Sequence, residues 1–101
     1  MKTIKTRPYD AAEYLETSAD QAALLNDAIA DGDPRFIAFA LGAVARARGG
    51  IAKLAEETGI TRQALHKALS TNGNPTLETV VKVLKALGLT MRIEERELEK
   101  A

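Results

Sequence analysis

Apolar residues recur along most of this chain at spacings of three and four, the period of an amphipathic helix. "YDAAEYL" starts the first such segment, with Asp10 at the N-cap, Glu13 at N3, and Tyr9 placed to staple onto Tyr14. "SADQAALLNDAIADGD" follows, with Ser18 as N-cap and Gln21 at N3. There Ala22, Leu25 and Ile29 form the stripe and Gly32 the stop. "DPRFIAFALGAVARARGG" opens on Asp33 as N-cap and Pro34 at N1, where the missing N–H costs nothing. Phe36, Ile37, Ala40, Leu41 and Val44 are spaced for burial, Arg46 and Arg48 suit the negative helix end, and Gly49-Gly50 stops the helix.

"IAKLAEETGITRQALHKALS" predicts two short helices, over about 51–58 and 62–69, broken at Gly59. "STNGNP" is a turn-forming loop. Asn74 or Thr76 then caps "LETVVKVLKALG", in which Leu77, Val80, Val81, Leu84 and Leu87 make the cleanest helical stripe and Gly88 the stop. After it the period changes. In "LTMRIEE" Leu89, Met91 and Ile93 alternate with Thr90, Arg92 and Glu94, a strand signal that occurs nowhere else in the chain. One strand cannot satisfy its own backbone groups. The direct solution is the same strand from a second copy, an antiparallel ribbon across a homodimer axis built on Leu89, Met91 and Ile93. The competing reading of these residues is a continued helix or a frayed tail.

Composition narrows the class. With 101 residues, 46% of them apolar, the chain suits one domain with a small core. A chain of this length buries only about 60–65% of its unfolded surface, so association with a second copy is a useful source of stability. It has no cysteine, which excludes disulfides, thiolate metal sites and cysteine nucleophiles. No apolar run approaches the roughly 20 residues that span a bilayer. "MKTIKTRPYD" is too polar for a signal peptide, so no membrane contact is expected and the expected compartment is the cytoplasm. Formal net charge is zero, but its distribution is uneven. Residues 1–33 carry three basic and seven acidic side chains, residues 34–88 eight and three, and residues 89–101 three and four. An acidic start and a basic middle suggest two different contact surfaces.

The basic middle holds the candidate chemistry. On a helix over 62–70, Arg62, Gln63, His66, Lys67 and Ser70 fall within an arc of roughly 140°. Leu65, Ala68 and Leu69, with Ala64, take the other side. Arg can bind guanine O6 and N7, and Gln adenine N6 and N7; Lys67 and Ser70 suit phosphates. A solvated helix face is the bland alternative. The preceding helix decides between them. Ala55 allows a close crossing, Gly59 the left-handed turn, Ile60 plugs the core and Leu65 anchors the second helix, the pattern of a helix-turn-helix.

"LAEETGITRQALHKAL" resembles the helix-turn-helix of the lambda-repressor-like (Xre-type) regulators, and "NPTLETVVKVLKALGL" the helix that follows in that family. The start, with "DGDP", "ALG" and "ARARG", resembles the HigA-type addiction-module antidotes, which place two extra N-terminal helices before the DNA-binding fold. The fold expected is all-α: a lambda-repressor-like helix-turn-helix bundle with two extra N-terminal helices and a single C-terminal β-strand pairing across a dimer. Residues 1–101 would form one domain, with an extension over 1–33, a DNA-binding core over 34–88, and strand and tail over 89–101. The resemblance implies a dimeric repressor of its own operon that sequesters a RelE/HigB-like ribonuclease toxin and binds a palindromic double-stranded operator. Its DNA-facing positions fall on Thr61, Arg62, Gln63, His66 and Lys67. The chain departs from the family at the first residue of the first helix, often Gln there and Ile51 here. Lys53, or backbone N–H groups at that helix end, would replace its phosphate contact.

Enzyme readings find no footing. His66 is the sole histidine, too few ligands for a usual zinc site, and no spacing makes a triad with Ser18 or Ser70. "ALGAVARARGG" lacks the Gly-Lys-Ser/Thr ending of a phosphate loop. No catalytic residue, metal or cofactor is expected, and no small-ligand pocket is recognisable. The acids Asp10, Glu13, Glu16, Asp20, Asp27, Asp31 and Asp33 suit a basic toxin partner, although helix capping accounts for Asp10, Glu13, Asp20 and Asp33 without one. The alternative function is a stand-alone helix-turn-helix repressor with no toxin partner.

Overall fold

Thr17 and Asp20 begin the first helix by capping each other. The Thr17 hydroxyl oxygen accepts from the Asp20 N–H (3.0 Å), and the Asp20 carboxylate accepts from the Thr17 N–H (3.3 Å). A computed structural model describes residues 16–97 of the chain, which are helical throughout their regular parts. The helices are α1 (Ser18–Asp31), α2 (Pro34–Ala47), α3 (Ile51–Thr58), α4 (Arg62–Ala68) and α5 (Leu77–Ala86). The segment expected to start at Asp10, with Tyr9, Glu13 and Tyr14, lies outside the described residues.

The expected cap of α1 shifts by one residue, from Ser18 to Thr17. The reason is chemical: Asp20 sits at N3 of Thr17 and closes a reciprocal box, while Gln21 has other work. Gln21 is 3% exposed, and its side-chain oxygen accepts from Arg48 Nη1 at 3.1 Å. The buried face of α1 is therefore Gln21, Leu25 and Ala28, rotated from the expected Ala22, Leu25 and Ile29. Ile29 stands 44% exposed.

At the head of α2, Asp33 Oδ1 accepts from the Arg35 N–H (2.9 Å), with Pro34 in the first turn. That backbone hydrogen bond, and next the Arg35 guanidinium beside it, hold the Asp33 carboxyl below its ordinary value. From Ala38 to Ala45, α2 buries Ala38, Ala40, Leu41, Gly42, Ala43, Val44 and Ala45. Small residues on so much of its surface let other helices come close, and α1 and α3 both pack on it. α3 in turn packs on α4 and α5. Leu25, Leu41, Val44, Leu54, Leu65, Leu69, Val83, Leu84 and Leu87 meet in one apolar cluster.

Thr76, rather than Asn74, caps α5, accepting from the Thr79 N–H (3.1 Å). Leu84 and Leu87 of the expected stripe are buried and Val80 is half-buried, but Leu77 and Val81 stand in solvent, and Val83, outside the expected stripe, is fully buried. The apolar arc of α5 is wider than the core it faces, so one edge is left over. Gly88, with φ +73°, ends the helix. Its N–H donates to the Lys85 carbonyl (3.1 Å), and the Leu89 N–H to the Leu84 carbonyl (2.9 Å). This paired closure sets Leu89 against the core, where it is half-buried.

Beyond it, residues 90–97 adopt no regular element in the single chain. The expected strand over 89–95 is thus not formed here, and the physical reason is the one that made a second copy necessary. The described residues offer no other strand with which to share a ladder.

Candidate nucleic-acid interface

Thr58 is the hinge pin between α3 and α4. Its hydroxyl donates to the Leu54 carbonyl (2.8 Å) and accepts from the Ile60 N–H (3.2 Å), so one side chain ties both ends of the turn. Gly59 supplies the left-handed step, φ +76°, and its N–H closes α3 on the Ala55 carbonyl (2.9 Å). Ile60 then turns inward against the core. Thr61 caps α4 by accepting from the Ala64 N–H (3.1 Å). The sequence reading named Gly59, Ile60 and Thr61 and missed Thr58. Its one visible signal was a threonine at the last helical position beside a glycine, where the hydroxyl can reach back four residues.

α4 has two unlike sides. Leu65 is fully buried and Leu69 nearly so. Arg62, Gln63, His66, Lys67 and Ser70 are exposed, as is Thr61. Ala64, placed on the inner side by the helical wheel, is exposed too: it borders the polar arc next to Lys67, and the core reaches only to Ala68. The Ser70 hydroxyl donates to the Lys67 carbonyl (3.0 Å), finishing the helix end.

The pose of α4 is fixed from beneath by backbone. A Cβ built on Gly42 of α2 would stand 2.6 Å from the Leu69 carbonyl oxygen, so only glycine admits this approach. Just beyond, a Cβ on Gly73 would come closer still to the Ala68 carbonyl oxygen and would stand 2.7 Å from that of Lys67. Its N–H bonds the Ser70 carbonyl at 2.8 Å, so the loop after α4 folds back on the helix end.

α3 differs from the other four described helices in having Gly50 at its N-cap and no side-chain cap. No side chain caps the first N–H groups of α3, and the Lys53 stem lies close to Gly49: its Cδ would be 2.8 Å from a Cβ built there. Farther along, Glu56 and Glu57 are exposed. Those acids repel a polyanion, so of α3 and α4 it is the head of α3 and the outer arc of α4 that suit one. Among the described residues no group of three His, Cys, Asp or Glu side chains could hold a metal ion. No helix among them is long and apolar enough to cross a membrane.

A small helical protein that braces a short polar helix outward is the class this geometry defines. The family described as "Probable addiction module antidote protein" matches residues 5–95, and the chain belongs to that family. An "Uncharacterized protein" of Haemophilus influenzae (strain ATCC 51907 / DSM 11121 / KW20 / Rd) is 39% identical over 93 residues, 92% of this chain and 95% of its own. No solved structure gives a significant match.

Proposed function

We propose that this chain is the antitoxin of a type II toxin–antitoxin module, acting in the cytoplasm. It neutralises a RelE/HigB-like ribonuclease and represses its own operon as a homodimer on a palindromic site. In this reading residues 1–101 form a single domain, and α3 and α4 are the helix-turn-helix of a DNA-binding core over 34–88. The observation that supports DNA binding most is the division of α4 into a locked inner side and a free polar arc.

On DNA, Arg62 and Gln63 read base edges, and Lys67, His66, Ser70 and Thr61 contact bases or phosphates from the same arc. Lys53 and the uncapped N–H groups of α3 hold a phosphate in place of the residue that Ile51 replaces. Two copies set their α4 helices about 34 Å apart, in successive major grooves. The tail supplies the second contact between copies. Met91 and Ile93 face outward and form the ribbon with a second tail, while Leu89 anchors it to its own core. For the toxin, Asp27 and Asp31 are the exposed acids of α1 without a cap to form, unlike Asp20 and Asp33.

A gel shift with the DNA upstream of its own gene tests the repressor reading. Binding that prefers this DNA over random DNA and weakens as salt rises is expected. Equal binding to both, at low salt, refutes it. Arg62→Ala should lose about 1–3 kcal/mol on the operator and little on random DNA. Co-expression with the product of the adjacent gene tests the antitoxin reading. A complex and restored growth are expected; neither would leave a stand-alone repressor.

A further inference from the structure

Two apolar pairs of this chain face water. On α5, Leu77 is 71% and Val81 47% exposed; on the tail, Met91 is 42% and Ile93 94% exposed. We propose that each pair covers the other between two copies: the tail of one chain lies along the α5 flank of its partner, reciprocally. This rests on the dimer of the preceding reading and adds where the apolar face of the ribbon goes.

The dimensions agree. Leu77 and Val81 are four residues apart on a helix, a rise of about 6 Å. Met91 and Ile93 share one face of an extended chain about 6.6–6.8 Å apart. The pairs can therefore seat side by side in register. Charge agrees as well. Lys82 and Lys85 border the α5 stripe, with Glu78 already paired to Lys82 at 3.0 Å. The tail carries a small excess of acid over 91–97: Glu94, Glu95 and Glu97 against Arg92 and Arg96, with the acids grouped after Ile93. An acidic, apolar strip thus meets an apolar stripe with an exposed Lys85 at its edge.

A second copy is the fitting occupant because the chain carries both halves of the contact. A two-fold axis satisfies donor and acceptor twice at once, whereas a different protein would cover only one half and leave the other in water. The chain's own tail does not do it. The closure at Gly88 pins Leu89 to its own core, and Val81 and Ile93 both stay exposed in the single chain.

The chain has no cysteine, so cysteines introduced at these exposed sites report contact directly. One copy carries Val81→Cys and a tag, the other Ile93→Cys. They are mixed, allowed to exchange, and oxidised; non-reducing electrophoresis and light scattering follow. The expected result is a covalent dimer of one tagged and one untagged chain, lost on reduction. It should exceed at least tenfold the cross-linking of Val81→Cys copies with each other. Efficient cross-linking among Val81→Cys copies alone would mean that the α5 flanks pack on each other, and would overturn the proposal. A dimer by light scattering with no cross-link at either pairing would overturn the tail placement and leave the dimer standing. A monomer would overturn both. As a second measurement, Ile93→Glu should weaken the dimer at least tenfold, and an unchanged dissociation constant would also overturn the proposal.

Discussion

Replacing Gly42 by alanine pits two effects of opposite sign against each other. A glycine inside a helix is worse than alanine by about 0.5–1 kcal/mol, so on propensity alone Gly42→Ala should stabilise α2. Packing says the reverse. The new Cβ would stand 2.6 Å from the Leu69 carbonyl oxygen, where real Cβ contacts essentially never fall below 3.0 Å, so the α2–α4 crossing must open by at least about 0.4 Å. The obstacle is backbone, which has no rotamer to swing away. Over-packing of this kind costs about 1–3 kcal/mol. The net expectation is a loss of about 0.5–2 kcal/mol, or a fall in Tm of about 2–16 °C for a domain of this size. Thermal unfolding followed by circular dichroism measures it. If α4 reads DNA as proposed, operator binding measured well below Tm should weaken too, because α4 moves with Leu69. A higher Tm for Gly42→Ala would refute the close crossing outright.

Thr58→Val keeps the shape but removes both side-chain hydrogen bonds of Thr58; the half-buried Ile60 N–H loses its partner, at about 1–3 kcal/mol in denaturant unfolding. Gln21→Leu and Arg48→Met each remove the 3.1 Å hydrogen bond between these side chains and should destabilise. The double variant should lose less than the sum, a coupling that a double-mutant cycle reads directly. Asp33→Asn keeps a capping oxygen but removes the titration. Because Asp33 lies below its ordinary value of 3.8, the stability it contributes is complete above about pH 4 and is lost as pH falls through the lower folded value. Melts from pH 2 to 7 should therefore show wild type losing more stability than Asp33→Asn only below about pH 4.

Signals that act over one or two turns were legible in the sequence. Asp33-Pro34 and the stops at Gly32, Gly59 and Gly88 need only neighbours within four residues and stand where the spacing put them; Thr76 was one of two caps the spacing allowed, and the α1 cap falls on Thr17 instead of Ser18. Which edge of an apolar arc meets the core was not legible. α1 turns toward Gln21 because Arg48, 27 residues away, supplies the partner that makes a buried amide tolerable. α5 leaves Leu77 and Val81 outside because the core takes only one side of a broad apolar stripe. For the interface the polar arc was readable from the helical period. The Gly42 crossing was not, since a glycine in "ALGAV" gives no sign of what approaches it.

The side chains that hold α4 and those that face outward are separate sets. Leu65, Leu69, the Gly42 approach and the folded-back loop at Gly73 fix its position, and none of them lies on the arc of Arg62, Gln63, His66 and Lys67. Recognition can thus diverge between relatives without disturbing the scaffold. Under the proposed DNA-binding reading, substitutions along the arc would change what is touched at little expense in stability, and this helix would serve as an exchangeable reading head on a fixed mount.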